Sequence, residues 1–445
     1  MPQKRPIRLA AFLFSGNASQ SWRVEEFDAH DTLNIEYYID YAQLAESAGI
    51  ETLFLADGAS FPASRADKVD GYWSVSQFEP VTLMAALASR TSHIGLIYTA
   101  SVADNEPTHL ARQLLSLDHI SKGRAGWNVV TTPGPGSKNL GIDPPDEGPA
   151  RYARARAFVE VTNALFDSFE ADALPRNKKT GQYVDLSKVH NPQIENEYYS
   201  ANQPLRLERS PQGRPILAQA GTSAEGLAFG AEIADVIYCA NYSIAAGQRT
   251  WSAIKSAAVA AGRAEEDVVI LTGAAVIWGE TQAEAEAKLD QVASLWPIEV
   301  ALQNMAIDFP GYDLDDPFPE DYVPRFSKGR FAAIADFALR EGLTIRQTAH
   351  RVSVGLGHRP VVGTTKSIAD DFEAWVEAKA TDGFALIQPR LIWGLRDVVD
   401  HVLPELKRRG LFAGRYEGAN LRQNLGLSLP ENRYTLARKA LSAAE

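Results

Sequence analysis

Short apolar runs alternate along most of the chain with segments in which apolar residues recur every three or four positions. The runs are typical of buried strands, and the recurring segments are typical of amphipathic helices. The pattern predicts eight strands, which lie near residues 7, 52, 94, 124, 216, 236, 270 and 384. Because helical segments separate them, the strands are expected to be parallel and to close into a (β/α)8 barrel, an α/β fold. A doubly wound open sheet is the alternative, but the usual Gly-x-Gly-x-x-Gly motif does not follow the first strand.

Two segments depart from this rhythm. A polar stretch over about residues 170–215 and a partly helical, partly acidic and proline-rich stretch over about residues 280–345 are interpreted as insertions. The whole chain, residues 1–445, is therefore predicted to form one domain. After Gly410 it is expected to continue as an extended tail, about residues 410–445, that can reach a neighbouring subunit.

Composition narrows the choice of partners. The net charge is −12, the sequence contains no basic run, and it contains no apolar run of the roughly 18 residues that a membrane helix needs. These features disfavour nucleic-acid and membrane binding and favour a small-molecule or protein partner. The single cysteine, Cys239, excludes an intrachain disulfide and any cysteine-built metal site, which suits the cytoplasm. The apolar start of the chain resembles a signal sequence, but Arg8 interrupts it, so a first strand is predicted there.

Polar residues stand where three predicted strands end, which is where barrel enzymes carry their chemistry. Asp57 follows the second strand and can accept hydrogen bonds from a ligand, bind a metal or cap the next segment. Thr99 lies at the end of the third strand. A hydroxyl at that position can bind a ligand, or it can simply form hydrogen bonds to other polar groups at the barrel rim. Asn128 in the fourth strand both donates and accepts, which suits the amide and imide edge of a flavin or a nucleobase.

The fifth strand runs directly into a helix through Gln219-Ala220-Gly221-Thr222-Ser223. Gly221 permits close approach of the backbone, and Thr222 and Ser223 add hydroxyls to the free N–H groups of a helix N-terminus. This sequence can therefore hold a phosphate, although an ordinary Ser or Thr helix cap is the commoner interpretation.

Other chemistries have little support. The histidines show no metal-ligand spacing, no Gly-x-Ser-x-Gly or Walker motif occurs, and no metal is predicted. Asp57 and Glu79 form a possible acid/base pair, or the basis of a metal-dependent hydrolase. His350 and His358 are only weak pocket candidates, and their roles stay open.

Together these strand ends resemble one family, the bacterial-luciferase-like flavin monooxygenases. The run at residues 116–132, Ser-Leu-Asp-His-Ile-Ser-Lys-Gly-Arg-Ala-Gly-Trp-Asn-Val-Val-Thr-Thr, is similar to the branch that contains nitrilotriacetate, EDTA, dibenzothiophene-sulfone, pristinamycin and long-chain-alkane monooxygenases. Further matches lie at residues 53–58, 78–80, 93–96, 106–113, 151–152, 219–223, 362–364 and 381–384.

The resemblance implies a two-component monooxygenase with a (β/α)8 barrel. Such enzymes take reduced FMN from a separate NAD(P)H:flavin reductase and, with O2, oxygenate a small substrate through a flavin C4a-(hydro)peroxide. Seven positions match the family's flavin contacts or lie beside its phosphate: Asp57, Thr99, Asn128, Tyr152, Gly221, Thr222 and Ser223. One position departs from the family pattern, because Gly148 stands where the family usually has a histidine.

The substrate is less well specified than the cofactor. A Trp-Arg pair of the family matches Trp22 and Arg23, and with Gln77 these residues are hypothesised to lie near the substrate. Family substrates are amino-polycarboxylates, organosulfur compounds and alkanes, and a homodimer or homotetramer is expected. The rival hypothesis is a flavin-binding barrel protein without oxygenase activity, for which Gly148 is the sequence support.

Overall fold

The computed structural model describes residues 5–14, 18–25, 32–58, 76–132, 149–221, 223–305, 309, 311–321 and 328–444. Within these residues, one parallel sheet contains nine strands. They are β1 (Arg8–Leu13), β2 (Thr52–Leu55), β3 (Gly95–Ser101), β4 (Ala125–Val130), β5 (Ile216–Gln219), β6 (Val236–Cys239), β7 (Val269–Trp278), β8 (Arg359–Gly363) and β9 (Gly383–Ile387). A two-residue hairpin pairs Ile194–Glu195 with Ser200–Ala201.

Eight of these strands close into a barrel. The order is β9-β1-β2-β3-β4-β5-β6, and β7 pairs with both β6 and β9. All eight predicted strands are confirmed, and the predicted (β/α)8 barrel is the observed fold. The open-sheet alternative is wrong, because the β7 pairings close the sheet.

The strand β8 is the one that the hydrophobic pattern did not predict. β7 is ten residues long, and its first part pairs with β6 while residues 274–278 pair with β8. β8 therefore extends the barrel wall beside the carboxyl-terminal half of β7. Its continuous apolar stretch is only two residues, Val361 and Val362, which is too short to give a periodic signal.

Helices that follow the strands cover the outside of the barrel, and further helices lie in the second predicted insertion and in the tail. They are α1 (Ile35–Ser47), α2 (Pro80–Arg90), α3 (Pro107–Ser121), α4 (Pro149–Phe166), α5 (Ala224–Ile233), α6 (Ile244–Ala260), α7 (Gln282–Ser294), α8 (Ile298–Met305), α9 (Lys328–Arg340), α10 (Ile345–Val354), α11 (Thr365–Glu377), α12 (Leu391–Asp397), α13 (Leu403–Arg408), α14 (Leu421–Asn424) and α15 (Arg433–Ala444). A π-helical turn, Val398–Val402, joins α12 to α13. Among the described residues, none of the helices has the length and apolarity that a bilayer-spanning helix requires.

The barrel interior is filled by aromatic and aliphatic side chains. Phe12, Phe54 and Tyr238 pack together there, with ring centroids 4.8 Å apart for Phe12 and Phe54 and 4.1 Å apart for Phe54 and Tyr238. Alternate residues of the same strands, such as Leu53 and Trp127, face outward into the layer beneath the helices. The interior below the strand ends is therefore packed and apolar.

The two predicted insertions are held in different ways. Polar contacts hold the first: the buried carboxylate of Asp167 accepts from Arg209 at 2.6 Å and from Arg214, and Asp118 accepts from Gln212 at 2.7 Å. In the second, α8, α9 and α10 pack with α7 around an apolar cluster of their own, which includes Trp296. The first insertion is therefore positioned by charges and the second by burial.

The tail packs beneath the amino-terminal ends of its own barrel strands. Leu421, Leu425 and Leu427 are buried against the residues that fill the barrel interior. Leu421 lies against Gly95 at the start of β3, where a side chain would overlap it. Arg422 forms an ion pair of 2.8 Å with Asp235, which fixes the tail to the region between α5 and β6. The tail thus closes the lower end of the barrel, and its described part lies on its own subunit.

We expect Leu421→Ala to lower the free energy of unfolding by about 2–4 kcal/mol, because it removes a fully buried side chain and leaves a cavity under β3. Urea denaturation followed by circular dichroism measures the change. Leu429→Ala is the matched control, since Leu429 is 48% exposed in the same tail, and its effect should stay within about 0.5 kcal/mol. Equal losses in the two variants would contradict the sealing role of Leu421.

Candidate functional site

Predicted flavin residues lie at the carboxyl ends of β2 to β5, on one rim of the barrel. Thr99 and Asn128 are side by side in the register of β3 and β4, and both are buried. The Nδ2 atom of Asn128 donates to the hydroxyl of Thr99 at 2.9 Å. The Oδ1 atom of Asn128 is buried and accepts no hydrogen bond from the described residues. A bound group with an N–H donor would satisfy this oxygen, as the imide edge of a flavin does.

Asp57 lies at the end of β2, next to Gln77. The amide Nε2 of Gln77 donates to the carboxylate of Asp57. Burial, together with the negative charges of Glu79 and Asp104, raises the pKa of Asp57 from 3.8 to about 6. Asp57 and Thr99 both line a cavity of about 440 Å³. A desolvated carboxylate beside a cavity is a strong acceptor for N–H groups of a ligand.

A second part of the site lies where α4 begins and β5 leads into α5. The hydroxyls of Tyr152 and Ser223 are 3.3 Å apart, and the Ser223 hydroxyl also caps α5 by accepting from the N–H of Gly226 at 3.0 Å. A Cβ on Gly226 would lie 3.1 Å from the Tyr152 hydroxyl and 3.2 Å from the Cα of Gly221, so this corner is closely packed. Ser223 is therefore a helix cap, and the same hydroxyl stands beside Tyr152 at a helix N-terminus that can hold an anion.

Arg151 adds a positive charge at this corner. Its guanidinium lies over the ring of Tyr152 at 4.9 Å, and its buried Nε has no hydrogen-bond partner among the residues described. The combination of a cation, two hydroxyls and helix N–H groups fits a phosphate. Sequence reasoning did not assign Arg151 to the site, although its position next to Tyr152 was the available signal.

Two residues of the sequence analysis fall outside the described ranges, namely Thr222 and Gly148. The placement of Thr222 beside the flavin phosphate therefore stays a prediction, and so does the effect of Gly148 on the flavin site.

The three residues assigned to the substrate, Trp22, Arg23 and Gln77, have different contacts in the structure. Gln77 lies with Asp57, as described above. Arg23 donates from Nη1 to the carbonyl of Leu295 at 2.5 Å, so it joins the segment after β1 to the end of α7. Trp22 precedes it and is partly buried. The proposed pairing of Arg23 with a substrate carboxylate stays a prediction.

Tyr98 is a polar residue of this cavity that the sequence did not single out. It is fully buried, it lines the same cavity as Asp57, and its hydroxyl has no partner in the described part of the chain. Burial raises the pKa of Tyr98, so the hydroxyl stays protonated. Sequence reasoning did not single out Tyr98, although its position next to Thr99 at the end of β3 was the available signal.

Glu79, which was considered as an acid/base partner of Asp57, caps a helix in the structure. Its carboxylate caps α2 by accepting from the N–H groups of Val81 at 3.0 Å and Thr82 at 2.7 Å. In the ranges that the structure describes, no cluster of three or more His, Cys, Asp or Glu residues has the geometry of a metal site. The contacts of Glu79 are those of a structural cap.

We expect Asp57→Asn to raise the free energy of unfolding at pH 7.5 by about 1–2 kcal/mol, because the native carboxylate is held in a desolvated place. The native pKa lies above that of the unfolded chain, so stability falls as the pH rises from about 4 to about 6. The gain should therefore be absent near pH 4. Urea denaturation of both proteins across this range measures it, and a gain that does not change with pH would contradict the assignment.

Comparison with known proteins shows the family of this chain. The sequence model for luciferase-like monooxygenases matches residues 12–382. The N-acetyl-S-(2-succino)cysteine monooxygenase of Bacillus subtilis (strain 168) is 39% identical over 97% of this chain and 99% of that protein. Nitrilotriacetate monooxygenase component A of Aminobacter aminovorans is 40% identical over 95% of this chain and 96% of that protein.

The crystal structure of a riboflavin lyase with modified FMN and the substrate riboflavin superposes with a TM-score of 0.82 and 31% identity, covering 96% of this chain and 97% of that one. These findings confirm the resemblance inferred from the strand-end motifs. This chain belongs to the luciferase-like monooxygenase family and is an oxidoreductase of the monooxygenase class.

Proposed function

We propose that this protein is the oxygenase of a two-component system. It takes reduced FMN from a separate NAD(P)H:flavin reductase and uses O2 to place one oxygen atom on a small organic substrate, through a flavin C4a-(hydro)peroxide. One observation carries the proposal: the barrel rim holds two groups of residues that fit the two parts of FMN. The Tyr152 and Ser223 hydroxyls fit the phosphate, and the desolvated acceptors of Asp57 and Asn128 fit the ring system. The name "component A" of the relative from Aminobacter aminovorans supports a system of more than one protein.

Different residues of the rim would bind the phosphate and the ring system of FMN. The Tyr152 and Ser223 hydroxyls, the N-terminus of α5 and the Arg151 guanidinium would hold the phosphate of FMN. Asp57 and the Oδ1 atom of Asn128 would accept hydrogen bonds from the N–H groups of the ring system. When bound, the reduced flavin supplies the activation of O2, and the protein needs no nucleophile of its own.

The packed interior supports the same function from below. An oxygen-transferring site must exclude water, because water favours loss of the activated oxygen as peroxide. The rings of Phe12, Phe54 and Tyr238 fill the barrel beneath the rim, and the tail closes the lower end. The described part of the barrel beneath the rim is therefore filled with apolar side chains, which disfavour water there.

The two relatives suggest where to look for the substrate. Nitrilotriacetate and N-acetyl-S-(2-succino)cysteine are both small acids with several carboxylates, and each carries a heteroatom at its centre, an amine nitrogen in the first and a thioether sulfur in the second. We propose amino-polycarboxylates and organosulfur acids as the first compounds to test, followed by alkanes.

The test begins with an anaerobic titration of the purified protein with reduced FMN. The complex is then mixed with buffer containing ¹⁸O2 and a panel of compounds that includes nitrilotriacetate, N-acetyl-S-(2-succino)cysteine and dimethyl sulfide. We expect saturable flavin binding and one ¹⁸O atom in the product of at least one compound, with less peroxide released than flavin oxidised. Reduced FMN without protein is the control.

Two outcomes would contradict the proposal in different ways. Saturable binding with stoichiometric peroxide and no labelled product from any compound indicates the rival function, a flavin-binding protein without oxygenase activity. If the protein does not bind reduced FMN at all, the assignment of FMN as its cofactor is wrong.

We expect Tyr152→Phe to weaken the binding of reduced FMN about tenfold, because it removes a hydroxyl from the phosphate corner and keeps the ring against Phe229. Binding of reduced riboflavin, which lacks the phosphate, should change less than about twofold. Tyr416→Phe is the control, since its hydroxyl donates to the carbonyl of Ile50 at the opposite end of the barrel. Equal losses for FMN and riboflavin would show that Tyr152 does not contact the phosphate.

A further inference from the structure

The cavity beside Asp57, described above, carries an excess of negative charge. Its lining contains three carboxylates, those of Asp57, Glu79 and Asp104, and no basic side chain among the described residues. Two other cavities of the molecule differ from it. One of about 510 Å³ is lined by three arginines and three carboxylates, and one of about 440 Å³ is lined by four of each. The protein therefore balances the charges of those two cavities and leaves this one able to attract a cation.

Asp57 and Asp104 are the two carboxylates of this cavity whose charge no described basic side chain offsets. Glu79 accepts from the N–H groups at the start of α2, where the positive end of the helix dipole stabilises its charge. Asp57 accepts from the neutral amide of Gln77, and the Oδ1 atom of Asp104 is buried without a hydrogen-bond partner in the described part of the chain. Burial raises the pKa of both groups, and the charge of Asp104 raises the pKa of Asp57 further, so the two carboxyls lie near each other.

The hydroxyl of Tyr98 is a second buried polar group of this cavity that lacks a partner. Tyr98 is 1% exposed, and no described residue forms a hydrogen bond with its hydroxyl. Its ring lies in the layer beneath the helices, where Val81 of α2 and Leu110 of α3 line the cavity with it. The charge of Glu79 adds to the burial that raises the pKa of Tyr98, so the hydroxyl end of the ring lies on the side of the cavity where α2 begins. A buried hydroxyl without a hydrogen bond points to a ligand that supplies one.

The rest of the lining limits the size and the chemistry of that ligand. Pro80, Val81, Leu110 and Val130 supply an apolar wall. The described carboxylates do not have the arrangement of a metal site, and a volume of about 440 Å³ suits a small molecule rather than a bare ion. An ammonium group on a short apolar body matches both parts of the cavity, because it combines a positive charge and three N–H donors with a surface for the apolar wall.

We propose that this cavity binds a small primary amine in its protonated form. The ammonium group donates to the Oδ1 atom of Asp104 and to the Tyr98 hydroxyl, Asp57 supplies a second negative charge, and the apolar body lies against the apolar wall. The inference goes beyond the proposed function and does not require it, because no group of this site depends on a bound flavin. Asp57 and Thr99 line the cavity and also belong to the candidate flavin rim, so the amine lies beside that rim.

Binding is tested on the purified full-length protein without flavin, by a ligand-observed NMR titration at pH 7.5. Benzylammonium is the probe, because it joins an ammonium group to a short apolar body. Benzyl alcohol is its neutral counterpart and has nearly the same shape. We expect saturable binding of benzylammonium with a Kd of about 1 mM or below, and binding of benzyl alcohol that is weaker by about tenfold or more.

Two substitutions locate the bound amine. Asp104→Asn keeps the shape of the side chain and removes its charge, and we expect it to weaken benzylammonium binding about tenfold. Tyr98→Phe removes only the hydroxyl and should weaken binding about fivefold. Asp290→Asn is the matched control, because Asp290 is an exposed carboxylate on α7 and is not part of the cavity lining, and it should leave the affinity unchanged.

Three results would overturn the proposal. The first is the absence of saturable benzylammonium binding. The second is equal affinity for benzyl alcohol, which would show that the cavity does not select for charge. The third is unchanged affinity in Asp104→Asn or Tyr98→Phe, or an equal loss in Asp290→Asn, which would place the amine elsewhere on this acidic chain. None of these measurements involves flavin, so a failure of the proposed function leaves their outcome unchanged.

Discussion

The pairing of β9 with β1 on one side and β7 on the other is the constraint on which the rest of the molecule depends. It removes the two open edges that a sheet of this length would otherwise expose. Once the sheet is closed, the strand ends have fixed positions around a rim. Thr99 and Asn128 are neighbours through the pairing of β3 with β4, and closure places β7 on the opposite side of the barrel from them. The geometry of the candidate site is therefore set by backbone hydrogen bonds rather than by the side chains that use it.

Polar contacts at the outside of the barrel serve a different purpose from the apolar interior. Although burial raises its pKa, the hydrogen bond and charge of Arg214, and then those of Arg209, lower the pKa of Asp167 overall. The backbone N–H of Arg433 at the start of α15 also donates to this carboxylate. Ion pairs of this kind add little net stability but specify which partners meet. Asp167 thus fixes the first insertion and the tail relative to α4.

The sequence predicted the parts of the structure whose cause is local. Strands, helices and the polar residues at strand ends follow from alternation and spacing, so Asp57, Thr99 and Asn128 could be assigned to one rim before any contact was known. The contact of Gln77 with Asp57 was not predictable in this way, because residues 59–75 intervene and spacing carries no information across them. The same holds for Arg23 and Leu295, which only tertiary packing brings together.

The tail shows the limit most clearly. The sequence predicted that residues 410–432 belong to an extended tail that can reach a neighbouring subunit. Leu421, Leu425 and Leu427 are buried because the barrel, assembled from distant segments, presents an apolar opening of the right size. No local property of the tail encodes that opening. The position of His358 has the same origin, since its ring occupies the space left open by Gly273, a residue far from it in the chain.

The order of the chain gives the tail a role during biosynthesis. Residues 421–427 are translated after every strand of the barrel, so the nascent sheet can close before its lower opening is covered. Until they emerge, the apolar interior is accessible at that end to chaperones and to other nascent chains. A message truncated after α13 would yield a chain whose barrel interior is left exposed at the lower end, and quality-control proteases act on chains with such exposed apolar surface.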